Sequence, residues 1–582
     1  MRFWPNLTAM KNFLKRDGDA IFPAALAVAL LAGIFLRTYL FTAQVFIDDE
    51  WHGFYYALGK SPLWLLTHFS IPGATCIPLN FYTWLLGFCG GWSEMWLRLP
   101  SLACGILCVL VCPLLAKKII GTRQSGWLAL LLAISPILIF YSRICRPYSA
   151  VALLGGAALL GAARWQQSGE FRPALLFAVS GVLAVYFHLF AVVTVATPVL
   201  VAIIFHLFAR VMKKKTIAGP SLRQWLLVAA GMALAGAALV LPALVHSMQS
   251  TFFTIALKGT FRLESLPRAA MLVSGTGSPV LALMFWLLLL AGAVEQCRRN
   301  LWFGVTLVSL YPLHALALIF SRPDGTQSAI VLARYCIPLV PVSLLLVACG
   351  LQWSLNFLAR HVALRPASQI LLAGACISAL VFAGPLPQTY VSPNNFTSHG
   401  AYQHRYAPID WSQSFYSDFT PVDFTLVTTI RADEISPFYS QLATERNHRP
   451  VIEYPMLIGD HFNPFYYYQH FHKRPVLVGY ATDVALSHGL AAGNIFGNTY
   501  VDQVLSLVKN PKQLKFRNLV PLDNLTAMRS SDAEYVILHR HFEADLSLVA
   551  ATLPDVERLS REYRAKIGAP VYEDANLIVF RL

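Results

Sequence analysis

Three adjacent acids, Asp48, Asp49 and Glu50, open the stretch IDDEWHGFYY where the first long apolar segment of the chain runs out. Carboxylates are costly in hydrocarbon, so the run is expected to face water at a membrane boundary. An acid in that place can act as a general base, a metal ligand or part of a cation pathway. On a helix, His52 would lie one turn from Asp48 and Asp49, close enough to orient an acid or to add a weak metal ligand. The plainer role is a helix N-cap, which favours Asp and suits negative charge. The two roles are compatible, because a cap also fixes a side chain in place.

A second group is the stretch YSRICRPY, residues 141–148. Arg143 and Arg146 are three apart, so one helical turn could aim both planar guanidiniums at a single anion, with Tyr148 beside them. The plainer reading is a pair of snorkelling interface arginines. A third group is Ala333-Arg334-Tyr335. Lys258, Arg262 and Arg268 populate another loop, where lipid headgroups or a substrate phosphate are the candidate contacts. His188 and His246 read as ordinary interface residues. Together these groups have a chemical logic: an anionic leaving group needs cations, and an acceptor hydroxyl needs a base.

The elements that position them are membrane helices. Of the 582 residues, 56% are hydrophobic and only 13% are charged, against about 25% charged in a soluble globular protein. The net charge of +15 invites a nucleic-acid partner, but the Lys and Arg fall in short gaps between apolar segments and no nucleic-acid motif is present. Apolar windows of about 20 residues centre on Leu31, Leu107, Ala133, Leu154, Leu183, Leu200, Ala233, Phe285, Leu310, Leu345 and Ala375. That makes about eleven spans. The gaps holding Lys117, Lys118, Arg123, Arg164, Arg172, Arg210, Lys213, Lys214, Lys215, Arg223, Arg298, Arg299, Arg360 and Arg365 are expected to be cytoplasmic, with the basic N-terminus. The acids, the YSRICRPY stretch, Lys258, Arg262 and Arg334 then share the opposite side with the C-terminus.

Residues 1–384 read as the membrane domain, and its first outer loop, 44–95, carries Trp51, Trp64, Trp84 and Trp92 on short interfacial helices. Residues 385–582 read as a polar extracytoplasmic α/β domain. Its expected strands are 423–430, 450–454, 475–480, 535–539 and 576–581, and its expected helices are 434–445 and 464–471. The run His461 to Tyr468 offers stacking surfaces, although an amphipathic core helix is the simpler account. All ten Cys lie between Cys76 and Cys376, with no metal-ligand spacing. Cys76 and Cys89 read as free or buried thiols rather than a disulfide. No cofactor is called for, while Asp48, Asp49 or His52 could serve a divalent cation.

With these motifs in place, the chain resembles the GT-C glycosyltransferases, in particular the group containing the protein O-mannosyltransferases and the lipid A aminoarabinose transferase. Asp-Asp-Glu follows span one, Ser142 to Tyr148 (S-R-x-x-R-x-Y) follows span three, and Ala-Arg-Tyr with Pro338 and Pro341 opens a late span; the likeness covers about residues 20–350. It implies an inverting sugar transfer in a bacterial inner membrane, from a polyprenyl-phosphate donor to an envelope glycan, lipid or protein. It implies a first-loop Asp as base on the acceptor, taken here as Asp49 with Asp48 as the other register, and Glu50 and His52 as supporting contacts. Arg143, Arg146 and Arg334 would hold the phosphate, with Tyr148, Tyr335, Lys258 and Arg262 lining the substrate. The alternative is a transporter or lipid flippase using the same charges. The absence of repeated halves and the clustering of charge at one face weigh against it.

Overall fold

Apolar segments punctuated by Ser caps, Gly and Pro become a bundle of helices. The computed structural model describes residues 7–582 except 45–49, 51–56, 58–59, 70–75, 90–92, 213–218, 249–262, 324–325, 327–328, 363–364, 391–434, 448, 455, 458–467, 469–470, 475, 477–518, 521–524, 532 and 541–554. The helices of the bundle, in chain order, are α1 (Leu7–Thr38), α2 (Pro62–Thr67), α3 (Ile77–Phe88), α4 (Glu94–Ile120), α5 (Thr122–Ile134), α6 (Pro136–Ser142), α7 (Tyr148–Ser168), α8 (Phe171–Phe187) and α9 (Ala191–Val211). They continue with α10 (Leu222–Met248), α11 (Ser265–Ser274), α12 (Pro279–Arg299), α13 (Leu301–Ser321), α14 (Ala329–Tyr335), α15 (Val340–Val362), α16 (Pro366–Phe382) and α17 (Leu386–Tyr390).

Each of the eleven expected span centres lies inside a described helix. Among the described residues, six helices are long and apolar enough to cross a membrane: α4, α9, α10, α12, α13 and the stretch Ile337–Val362. The pair α5 and α6, bent by 58° at Ser135, would make a seventh. The segments Phe22–Thr38, α8 and α16 are apolar but shorter. The chain is therefore built as an integral membrane protein. The apolar stretch from Phe171 to Val211 divides at His188–Phe190, where the chain turns between α8 and α9.

Close helix packing depends on small residues. A Cβ on Gly292 would stand 1.9 Å from Leu346 O, and one on Gly350 would stand 1.8 Å from Leu288 O. Helices α12 and α15 thus cross backbone to backbone at this glycine pair, a close approach typical of helices in lipid.

In the C-terminal part, α18 (Pro437–Thr444), β1 (Val451–Tyr454), β2 (Met456–Leu457), β3 (Leu519–Val520), α19 (Leu525–Ser530), β4 (Tyr535–His539), α20 (Val556–Lys566), β5 (Tyr572–Glu573) and β6 (Leu577–Arg581) follow. One sheet has the order β1-β4-β6-β5, parallel between β1 and β4 and antiparallel elsewhere. β2 and β3 form a separate antiparallel pair. Helix α18 and strands β1, β4 and β6 stand where the sequence pattern places them. Val476 bridges to Val451, while the expected strand 423–430 lies outside the described residues. Helix α20 was not anticipated. Its stretch VERLSREYRAK is mostly charged and packs only Leu559, Ser560 and Tyr563 inward.

Ile435, Phe438, Val451, Ile537 and Val579 belong to the same continuous buried apolar cluster as the bundle. Lys473 Nζ lies 3.4 Å from Glu94 Oε2 at the start of α4. All ten Cys are free, Cys76 buried and Cys89 exposed.

Candidate active site

The site residues gather at the end of the bundle where α1 stops and α4 and α7 begin. The segment that matters, Arg143 to Pro147, joins α6 to α7 and is wholly buried. Buried backbone must find partners, and here it does. Glu50 Oε1 accepts from Cys145 N at 2.7 Å. Ser101 Oγ donates to Arg146 O at 2.9 Å. Gln44 Nε2 donates to Arg143 O at 3.3 Å.

Glu50 is not a water-facing acid. It is fully buried and held by Arg98, whose Nε donates to Oε1 at 2.7 Å and whose Nη2 donates to Oε2 at 2.6 Å. Arg98 Nη1 also donates to Gln44 O at 2.7 Å. The expectation that all three acids face water is therefore corrected at this position. A paired, hydrogen-bonded carboxylate tolerates burial, because a bidentate guanidinium offsets its desolvation. Both carboxylate oxygens are engaged by Arg98, and Oε1 also by the Cys145 amide. Asp48, Asp49 and His52, like Lys258 and Arg262, lie outside the described residues. Asp48 and Asp49 join the chain directly at Glu50, two residues and one residue away.

Arg143 also needs correction. Its Nε donates to Gln44 Oε1 at 2.9 Å, and its Nη1 donates to Arg37 O at 2.9 Å and Leu36 O at 3.4 Å. These are the end carbonyls of α1, which lack intrahelical partners, so a cation there caps the helix. The chain after Ser142 runs through bends rather than helix, so the helical turn expected to align Arg143 with Arg146 is not formed.

Arg37 works in the same way at the bend between α5 and α6. Pro136 carries no N–H and interrupts the helical ladder. The buried carbonyls of Leu132 and Ala133 accept from Arg37 Nη2 and Nη1 at 3.0 and 2.9 Å, and Arg37 Nε donates to Ser142 Oγ at 3.2 Å. A Cβ on Gly105 would stand 2.0 Å from Ser142 Oγ, so glycine lets α4 pass close to α6. Sequence reading missed Arg37 and Arg98. The available signal was a guanidinium inside an apolar helix, which needs a buried partner.

Arg146, Arg334, Tyr148 and Tyr335 do come together. The Arg146 guanidinium stands 5.8 Å and that of Arg334 5.9 Å from the centroid of the Tyr148 ring, and Arg334 stands 5.7 Å from that of Tyr335. Both arginines are buried. Helix α14 and the Ile337–Leu339 turn bring Arg334 in, with the α14 residues Ala329 to Arg334 all buried. His314 Nε2 donates to Tyr335 O at 2.7 Å and anchors that ring from α13. His188, which the sequence suggested was incidental, lies with its ring 5.6 Å from Tyr148 and 6.1 Å from Tyr335. Two guanidiniums and an imidazole from three separate segments thus surround one tyrosine ring, a setting suited to an anion. No group of three or more His, Cys, Asp or Glu that could hold a metal ion occurs among the described residues.

No protein-family model and no curated protein matches the chain. Solved structures do. ArnT from Cupriavidus metallidurans in the apo state aligns over 98% of this chain and 98% of its own, with 14% identity and a TM-score of 0.49. The archaeal oligosaccharyltransferase AglB from Archaeoglobus fulgidus, in complex with an inhibitory peptide and a dolichol-phosphate, aligns over 89% of this chain and 69% of its own, with 12% identity and a TM-score of 0.43. The mycobacterial arabinofuranosyltransferase AftD aligns over 97% of this chain and 41% of its own, with 15% identity and a TM-score of 0.46. These neighbours are GT-C glycosyltransferases.

Proposed function

We propose that this chain is an inverting glycosyltransferase that moves a hexosyl or pentosyl group from a polyprenyl-phosphate donor to an extracytoplasmic acceptor, a cell-envelope glycan, lipid or protein. The observation that carries this reading is the pairing of Arg146 and Arg334 on Tyr148, with Arg146 one residue beyond the Cys145 amide that Glu50 accepts from. A cationic cluster and an acidic run are thereby joined through a buried contact.

Asp49 takes a proton from the acceptor hydroxyl. The resulting oxygen nucleophile forms a bond to the anomeric carbon as the bond from that carbon to the phosphate oxygen breaks. The negative charge leaves on the lipid phosphate, which Arg146 and Arg334 stabilise. Arg98 and Glu50 hold the acidic run, and Arg143 and Arg37 hold the helix ends. Eleven segments cross a bacterial inner membrane with the N-terminus inside, and residues 385–582 cover or select the acceptor on the far side.

The test is transfer of radiolabelled sugar from a polyprenyl-phosphate donor by the purified full chain. General-base assistance is worth about 10²–10⁴-fold, so Asp49→Asn is expected to lose transfer by that order while staying folded in the membrane. Wild-type transfer by that variant would overturn the assignment. Translocation of lipid without transfer by the unaltered chain would replace the enzyme by a flippase.

A further inference from the structure

We propose that His188 is the third phosphate ligand of this site, donating its Nε2–H to an oxygen of the donor phosphate that Arg146 and Arg334 hold. The inference rests on the glycosyltransferase reading and adds to it a residue that no motif marks.

The geometry comes first. His188 lies in the turn between α8 and α9, and its ring stands against Tyr148 and Tyr335, at 5.6 and 6.1 Å. Those are the two rings that the guanidiniums of Arg146 and Arg334 approach. The imidazole is therefore on the same cluster as both cations, and it arrives from a third direction. Donors from three separate segments can approach the two non-bridging oxygens of a phosphate diester from different sides.

The tautomer is set by the backbone. Phe190 N–H donates to His188 Nδ1 at 3.3 Å, which makes Nδ1 the acceptor and leaves the ring proton on Nε2. Among the described residues no hydrogen bond to Nε2 is found, so this N–H is available to a ligand. Its protonation is set by surroundings. Burial, then Arg146, Arg334 and His314 in turn, push the imidazole down to about 3. The ring is thus a neutral N–H donor across the physiological range. The titratable groups that face it are Arg146 from the turn before α7, Tyr148 on α7, Arg334 and Tyr335 on α14, and His314 on α13. Two guanidiniums already exceed the single negative charge of the donor diester. A neutral third donor adds direction without adding repulsion to the empty site.

The test is calorimetric binding of a polyprenyl methyl phosphate diester to the purified full chain. This probe keeps one negative charge over the whole pH range used, so it does not titrate with the protein. A hydrogen bond to a charged partner implies that His188→Ala weakens binding about tenfold or more. His188→Gln, whose amide N–H reaches the position of Nε2, is expected to recover most of that loss. Wild-type affinity is expected to be flat between about pH 5.5 and about pH 8, since a neutral ring does not titrate there. Affinity that climbs as pH falls through the ordinary histidine range would overturn the neutral-donor role. Unchanged binding by His188→Ala, while Arg146→Ala and Arg334→Ala lose it, would remove His188 and leave the phosphate site standing. Unchanged binding by both arginine variants would instead remove the phosphate site itself.

Discussion

Glu50 and Asp49 are neighbours with opposite demands, and substitution separates them. Breaking a buried ion pair by deleting one partner costs about 3–5 kcal/mol, because the other charge stays buried and unpaired. Arg98→Ala is therefore expected to lower the melting temperature and yield of the detergent-purified chain. Restoring wild-type stability in a combined Arg98→Met, Glu50→Leu variant would show that the cost lies in the orphaned charge. Asp49→Asn should leave the melting temperature unchanged and remove turnover. A second contrast concerns the arginines. Arg146→Ala is expected to raise the apparent donor KM with a small effect on acceptor KM, whereas Arg143→Ala should act chiefly on folding, since its guanidinium caps α1. Donor and acceptor titrations of the two variants in parallel decide this. At this scale the sequence named Arg146, Tyr148, Arg334 and Tyr335 in two short motifs, because cations and rings at the ends of apolar segments are conspicuous. It could not separate Arg143 from Arg146, because that depends on how residues 143–147 turn.

Element positions were far more legible. Long apolar runs with flanking caps fix helices locally. Ser93 Oγ accepts from Trp96 N at 3.2 Å and starts α4, and Gly121, with φ of 99°, ends it. Short apolar runs at 535–539 and 577–581 fixed two strands in the same way, and these pair through five registered residues. What local pattern could not supply is the contact that makes a glycine necessary. Gly292 and Gly350 look like ordinary helix glycines in the sequence, yet each meets the partner backbone. Gly350→Val is expected to destabilise the bundle by about 1–3 kcal/mol or more, the usual range for overpacking. A thermal melt of the variant beside Gly374→Val, where a Cβ would meet nothing within 4 Å, checks it. Equal melting temperatures would contradict the crossing.

Over the whole molecule, the C-terminal sheet carries a titratable core of its own. Glu453 on β1 is fully buried, accepts from Tyr439 Oη at 3.0 and 3.1 Å, and pairs with His539 Nε2 at 2.7 Å. Burial raises the Glu453 carboxyl well above its ordinary 4.5 and lowers His539 well below its ordinary 6.5. A raised carboxyl contributes stability that is full below 4.5 and is lost as pH rises towards the folded value. A lowered imidazole contributes stability that is full above 6.5 and is lost as pH falls. Between 4.5 and 6.5 the two slopes cancel, because folded and unfolded chains each keep one proton on the pair. Above 6.5 the imidazole effect is complete, and stability falls with rising pH for as long as the folded carboxyl keeps its proton, at about 1.4 kcal/mol per pH unit. Denaturant unfolding followed through the C-terminal domain should give a plateau with that alkaline limb, and Glu453→Gln should flatten the limb. A limb of the same slope in the variant would assign it elsewhere.

The sequence by itself determined a membrane chain, the places of its helices, three strands of its C-terminal sheet, and one end of the bundle as the candidate site. Those properties follow from hydropathy, periodicity and charge placement, which act over a few turns of chain. Only the tertiary structure decided which charges are bound to carbonyls and carboxylates and which gather on the tyrosine rings. Glu50 with Arg98, Arg143 with the end of α1, and Arg37 with the bend before α6 are pairings over 48 to 107 residues of sequence. His188 beside Arg146 and Arg334 is another. Burial is a property of what packs around a group, and no local window of sequence contains it.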